Sequence, residues 1–280
     1  MQHGLSIDVE DYYQIILKDY FSIDAAPSPE VERNTQWILD LLSEKCVQAT
    51  FFVLGNVAKS YPNLIQRMAA EGHEIGVHGY DHRQIFTMSP EEFSCSLNKT
   101  KELIEDHAGQ QVVGHRAPAF SITSTSYWAL DILAAAGFTY DSSIFPVKGR
   151  RYGIEHAQRA IHRLPNGLYE IPLSCVSFWG KTLPVAGGGY IRHFPYWWTK
   201  FAVNKIARAG RPGVLYLHPY EFALTQPSFG RIPAALPFNR RYKLFVHNLL
   251  QKRNTGKPQR QKFAALLSDF SFCPLRRLLP

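Results

Sequence analysis

Short apolar runs alternate with longer segments of helical spacing along most of the chain. Residues 4–9 (GLSIDV) form the first run, and residues 47–54 (VQATFFVL) the second. The second is β-rich and nearly all apolar, as a strand covered on both faces should be. Residues 73–77, 111–115, 138–140 and 213–217 (GVLYL) predict further strands. Between them lie helical stretches. Ser28-Pro29-Glu30 places a serine cap, a proline in the first turn and an acid, and Val31, Ile38, Leu41 and Leu42 follow at helical spacing beside Trp37. Residues 56–70 predict a second helix. Ser89-Pro90-Glu91-Glu92 is a capping box opening a third, which runs to about His107. Residues 124–136 predict a fourth, stopped at Gly137. Alternation with short connections predicts a parallel sheet or barrel. Residues 149–200, rich in glycine, proline and aromatics, read as hairpins or loops inserted late in it. From about Phe222 the pattern changes. Residues 240–280 read as helix, basic loop, helix and short tail, packed on the barrel, so the expected division is 1–224 and 225–280.

A length of 280 residues with 45% apolar and 13% aromatic content fits one large domain, or one with an appendage. The net charge of +8 gathers partly in residues 148–151 and 240–260. The basic residues do not alternate with aromatics as in a nucleic-acid surface, so an anionic glycan or a membrane surface fits better. The cysteines Cys46, Cys95, Cys175 and Cys273 are scattered with no C-x-x-C pair, which predicts reduced, mostly buried thiols. With Met1 taken as the native start, no basic segment and apolar stretch precede the first strand. No window approaches ~20 uncharged apolar residues. Both points predict a cytoplasmic protein.

The predicted strands end in ionisable groups: Asp8, Glu10 and Asp11; His78 and His82 in "IGVHGYDH"; His115 and Arg116; Asp141; His218. Each has an ordinary reading alone. Asp8 and Asp141 suit turns, paired loop histidines are common, Arg116 could be a surface residue, and His218 could be a satisfied core histidine. Together they stand at the carboxyl ends of strands, where active sites of parallel α/β folds gather. Two imidazoles and a carboxylate with open positions suit a hydrolytic metal site. A metal acidifies water and polarises a carbonyl, a second carboxylate takes the water's proton, and a histidine protonates the leaving group. Gly187-Gly188-Gly189-Tyr190 lacks the lysine and hydroxyl residue of a phosphate loop. It suits close passage of backbone beside the groove or another strand. Phe194, Tyr196, Trp197 and Trp198 suit either stacking on sugar rings or packing of the extension.

The succession "SIDVEDYY", "ATFFVLG", "EIGVHGYDH", "GHRAPAF", "YDSSIFP" and "GVLYLHPYE" resembles the polysaccharide deacetylase family, the NodB-homology carbohydrate esterases. It is most similar to the exosortase-associated branch found with exopolysaccharide loci, which has its own C-terminal extension. The resemblance spans about residues 3–222, with residues 239–279 similar to that extension. It implies a distorted (β/α) barrel of about seven parallel strands with a mainly helical C-terminal extension, and one divalent metal, usually zinc, with cobalt or nickel as alternatives. By resemblance Asp8 is the catalytic base, Arg116 its orienting partner, His78 and His82 metal ligands, His218 the general acid, and Asp141 the acid supporting it. Many relatives carry adjacent aspartates in the first motif, whereas Val9 follows Asp8 here. The metal carboxylate is then Glu10 or Asp11. The D-x-D-like spacing favours Glu10, since alternate strand residues share a side, with Asp11 as supporting or turn residue.

The expected reaction is metal-dependent removal of N-acetyl groups from N-acetylhexosamine units of a polysaccharide or its precursor, in exopolysaccharide biosynthesis. Rival readings are hydrolysis of another small amide or ureide on the same scaffold, and a catalytically silent glycan-binding scaffold. The expected partners are an N-acetylated glycan or a lipid-linked or nucleotide-linked precursor, and exopolysaccharide assembly proteins. Nucleic acid is not expected. The basic C-terminal patch suggests peripheral contact with the inner membrane surface.

Overall fold

The structure is a computed structural model. It describes the chain apart from residues 22, 148, 150–152, 179–180, 186, 226–240, 243, 247–248 and 250–252, and apart from the side chains of 19, 20 and 181. The basic group expected at 148–151 lies mostly outside the described residues, as does part of that at 240–260. The expected division at 224/225 borders the longest such stretch.

Strand β1 (His3–Val9) is buried at every position. It lies parallel between β10 (Val214–Leu217) and β2 (Thr50–Val53). Next come β3 (Glu74–Val77), β4 (Gly114–His115), β5 (Tyr140–Asp141) and β7 (Tyr169–Glu170), and the path β10-β1-β2-β3-β4-β5-β7 is parallel throughout. That path holds the seven parallel strands expected of a distorted barrel. The short β6 (His162–Arg163) pairs antiparallel at its edge. Beyond β7, the Val214 N–H donates to Ser174 Oγ at 2.7 Å, tying this side of the sheet back to β10. The insertion contains the antiparallel hairpin β8 (Cys175–Phe178) and β9 (Lys181–Pro184).

The helices differ from expectation in two instructive places. Residues 56–70 are not one helix but α3 (Gly55–Ser60) and α4 (Pro62–Ala70), broken at Tyr61 with φ −133° and ψ 61°. Pro62 explains the break, because the residue before proline avoids the helical region. The unpredicted α1 (Tyr12–Phe21) follows β1 almost directly. Its sequence YYQIILKDYF is rich in β-formers, and helix wins because Tyr12 and Ile16, one turn apart, bury together against Leu244. As expected, α2 (Pro29–Glu44) begins after Ser28, and α5 (Pro90–Ala108) begins with both bonds of the Ser89–Glu92 capping box. Further helices among the described residues include α6 (Trp128–Ala135), α7 (Gly188–His193), α8 (Tyr196–Arg208) and α9 (Lys257–Asp269).

The extension shares the barrel's core. Phe263 and Leu266 of α9 pack in one apolar cluster with Leu5, Phe51 and Phe222. Strand β11 (Phe272–Cys273) pairs with His3 and Gly4 at the start of β1. Beyond it the Leu275 N–H donates to Thr50 Oγ1 at 2.7 Å and the Arg276 N–H to Glu74 Oε2 at 3.1 Å. The tail thus closes the amino end of the sheet and leaves the carboxyl end for chemistry. Among the described residues, no helix is long and apolar enough to cross a membrane. The four cysteines are free thiols, but the expectation that most are buried fails at Cys46 and Cys95, which are exposed.

Candidate active site

The carboxyl ends of the strands bring most of the candidate residues to one place. The Glu10 carboxylate, just past β1, lies between two imidazoles. His78 Nε2 is 2.7 Å and His82 Nε2 3.1 Å from its Oε1. Turn geometry permits this convergence. Gly79 has φ +77° and His82 has φ +64°, so the loop takes left-handed backbone twice within four residues. The loop is anchored from behind, where the Gly55 and Asn56 N–H groups donate to the Gly79 and Tyr80 carbonyls at 2.9 Å.

The donor chemistry fits a cation. His78 Nδ1 lies 2.8 Å from the Arg116 carbonyl, which can only accept, so Nδ1 carries the proton. In the neutral imidazole the Nε2 lone pair then faces a carboxylate oxygen, an acceptor against an acceptor. A divalent ion between Glu10, His78 and His82 resolves that conflict, and a carbonyl behind a ligating histidine is the usual arrangement. Burial acts to raise the Glu10 carboxyl, yet the charge of His82 and His218 holds it well below the ordinary range. Asp11 stands apart. Its carboxylate accepts from the backbone N–H groups of Tyr13 and Ser28, joining the start of α1 to the start of α2. It acts as a turn residue, and burial raises its carboxyl despite those bonds.

Asp8 is buried beside this cluster, held by Arg116 Nη1 at 2.6 Å. Arg116 is itself fully buried, and its position is over-determined. It donates to Ser6 Oγ at 2.6 Å, to the Ser142 carbonyl at 3.0 Å and to Ser142 Oγ at 2.9 Å. The Phe52 ring lies 4.3 Å below its guanidinium. Paired burial is what an ion pair this deep requires, and it leaves the Asp8 carboxylate fixed in place.

His218 follows β10 on the other side of β1. Its Nε2 lies 3.8 Å from Glu10 Oε2, and Tyr220 stacks on its ring at 4.7 Å. Asp141 is not the acid behind it. That acid is Glu221, whose Oε1 takes His218 Nδ1 at 2.7 Å. Strand order explains the correction. On β5, Asp141 is the register partner of His115 on β4, and its Oδ1 takes His115 Nδ1 at 2.7 Å, whereas β10 begins the sheet path at its other end. Asp141 also accepts from Ser143, and sits beside Glu170, whose carboxyl is pushed well up by burial and then by Asp141. Desolvation alone would lower the His218 imidazole, but Glu10, the Glu221 hydrogen bond and Asp8 raise it to about 9. A cation on Glu10 would cancel that residue's pull, whereas Glu221 is untouched by it.

Glu221 escaped the sequence reading, though its signal was present: an acid three residues after a histidine followed by proline. Ser142, whose two oxygens hold Arg116, left no signal beyond its place after Asp141. The glycine run does bring backbone close, since a Cβ at Gly188 would fall 1.7 Å from Glu221 Oε1. Of the aromatic group, Trp198 packs on the β8–β9 hairpin, Tyr196 donates to Asp269 at 2.6 Å, and Phe194 and Trp197 are exposed.

Residues 19–140 match the family described as polysaccharide deacetylase, and residues 142–280 match one described as a domain of unknown function (DUF3473). The chain is 41% identical over 81 residues to a peptidoglycan-N-acetylglucosamine deacetylase of Bacillus cereus, covering 29% of each chain. It is 35% identical over 115 residues to a chitooligosaccharide deacetylase of Rhizobium leguminosarum bv. trifolii, covering 41% of this chain and 49% of that one. The chain thus spans half or less of these curated relatives. The crystal structure of a putative polysaccharide deacetylase from Mycobacterium smegmatis matches with a TM-score of 0.61 at 20% identity, over 99% of this chain and 91% of that one. That likeness is one of fold.

Proposed function

Since the chain belongs to the polysaccharide deacetylase family, we propose that it hydrolyses the N-acetyl group of N-acetylhexosamine units in a glycan or glycan precursor, with zinc as its ion. The observation that carries this reading is Glu10 set between His78 and His82, with the Arg116-held Asp8 and His218 both beside it. When bound by Glu10, His78 and His82, the ion supplies Lewis acidity, which acidifies the attacking water and polarises the acetyl carbonyl.

The chain's own residues do the rest. Asp8, held by Arg116, takes a proton from the water as its oxygen bonds to the carbonyl carbon. His218 carries its Nδ1 proton on Glu221, so its Nε2 faces the site and delivers a proton to the nitrogen as the C–N bond breaks. Acetate and a free amine leave. Among the proposed partners, glycans and lipid-linked or nucleotide-linked precursors suit a protein of net charge +8. A place in exopolysaccharide production is inferred from the resemblance alone.

The test is acetate release from N-acetylglucosamine oligomers by chelator-stripped protein, repeated after adding zinc or cobalt. Metal-restored release is expected. Tight binding of one ion per chain without release from any N-acetylated glycan would overturn the reaction while leaving the site.

A further inference from the structure

We infer that the C-terminal extension is a working part of the catalytic centre, with Gln259 acting as a positioning residue that fixes Glu221 and, through it, the proton donor His218. The inference rests on the reaction proposed above and gives a role to the segment matched only by a domain of unknown function.

Glu221 is 1% exposed, so as a carboxylate it needs donors at both oxygens. Oε1 receives His218 Nδ1 at 2.7 Å and the His218 backbone N–H at 3.2 Å. Oε2 receives Gln259 Nε2 at 3.0 Å. The acceptor identifies the amide's nitrogen as the atom facing it. Gln259 stands in the first turn of α9 and is fully buried. Its own Oε1 has no partner among the described residues. A buried glutamine placed only to fasten a helix would be expected to satisfy both ends of its amide. Among the described residues this one pairs only its donor side, and pairs it with a carboxylate.

The surroundings tighten the same loop. The Gly256 N–H donates to the Glu221 carbonyl and Arg260 Nε to the Phe222 carbonyl, each at 2.9 Å. The Arg260 guanidinium lies 4.1 Å over Trp37. On the opposite side, the Gly188 backbone of the insertion leaves no room for Glu221 to swing away. A carboxylate pinned in this way holds one imidazole orientation, with Nε2 aimed toward Glu10. Extension and insertion are thus the walls that place the general acid.

The test uses the full chain and the variant Gln259→Met, which keeps the volume and removes the donor. With N-acetylglucosamine oligomers, kcat is expected to fall about tenfold at unchanged KM, part of the ~10²–10⁴ that general acid–base catalysis supplies. With 4-nitrophenyl acetate, whose leaving group departs without a proton, the rate is expected to hold. Leu267→Ala loosens the same helix without touching Glu221 and should leave the ratio of the two rates at its wild-type value. An equal loss on both substrates, or no loss on either, overturns the inference while the reaction stands. An inactive wild type would sink the reaction, and proton NMR then decides the positioning. A slowly exchanging low-field His218 Nδ1–H signal, assigned by its absence in His218→Gln, should weaken in Gln259→Met. An unchanged signal would overturn the inference.

Discussion

Glu10 and Glu74 stand at opposite ends of the same sheet, and their surroundings push them in opposite directions. Glu10 follows β1 at the carboxyl end. Burial works against its charge, but His82 and His218 prevail and hold its carboxyl low. Glu74 begins β3 at the amino end. Burial prevails there over the Thr50 hydroxyl and the Arg276 backbone N–H, and its carboxyl is raised. The C-terminal tail donates a backbone N–H to the half-buried Glu74, whereas the buried Glu10 faces imidazoles. A buried carboxylate facing imidazole nitrogens is arranged for a cation, and one facing hydroxyl and amide donors is a plug.

Substituting each by glutamine breaks the comparison most directly. Glu10→Gln is expected to weaken zinc binding by about 100-fold or more, beyond the cost of losing an outer-shell partner. Glu74→Gln keeps an oxygen for Thr50 and Arg276 and should leave zinc affinity at the wild-type level. Calorimetric titration of zinc into stripped protein measures both. Equal affinities in the two variants would remove Glu10 from the metal site.

Asp8→Asn sharpens the division of labour within the active end. Asparagine still accepts from Arg116 Nη1 but cannot take a proton. Turnover should drop by roughly 10²–10⁴-fold, with one zinc per chain retained by elemental analysis. Loss of the ion together with turnover would make Asp8 a ligand rather than the base.

The elements legible in the sequence were those set by local chemistry. The apolar runs of β1 and β10, the Ser89 capping box and the Gly137 stop all depend on residues a few positions apart. The cluster of Glu10, His78 and His82 was legible for a similar reason, since all three closely follow recognisable strands. What stayed hidden depended on strand order and distant packing. Asp141 is given to His218 by the family resemblance alone. Only the sheet path puts β5 beside β4 and gives that aspartate to His115. The bond between Gln259 and Glu221 spans 38 residues, and no local pattern announces it. Helix α1 was concealed by its own β-forming residues, whose fate depends on a partner more than 200 positions away.

The smallest expected effect lies at the plugged end and concerns stability. His73, just before β3, is 3% exposed, and its Nδ1 accepts from the Ala49 N–H at 3.2 Å. Burial lowers its imidazole from 6.5 to about 4, against the pull of Glu71. The unfolded chain therefore binds a proton between those values that the folded chain refuses. Stability is fully present above about pH 6.5 and is lost as the pH falls toward 4. The limiting loss from this one group is about 3 kcal/mol. His73→Asn offers a side-chain oxygen to the Ala49 N–H without a titrating ring, and should flatten the fall. Urea melts of chelator-treated protein at neutral and mildly acidic pH separate the two, because stripping the ion removes the active-site histidines' metal linkage from the comparison. A variant that loses stability as steeply as the wild type would assign the acid sensitivity to groups other than His73.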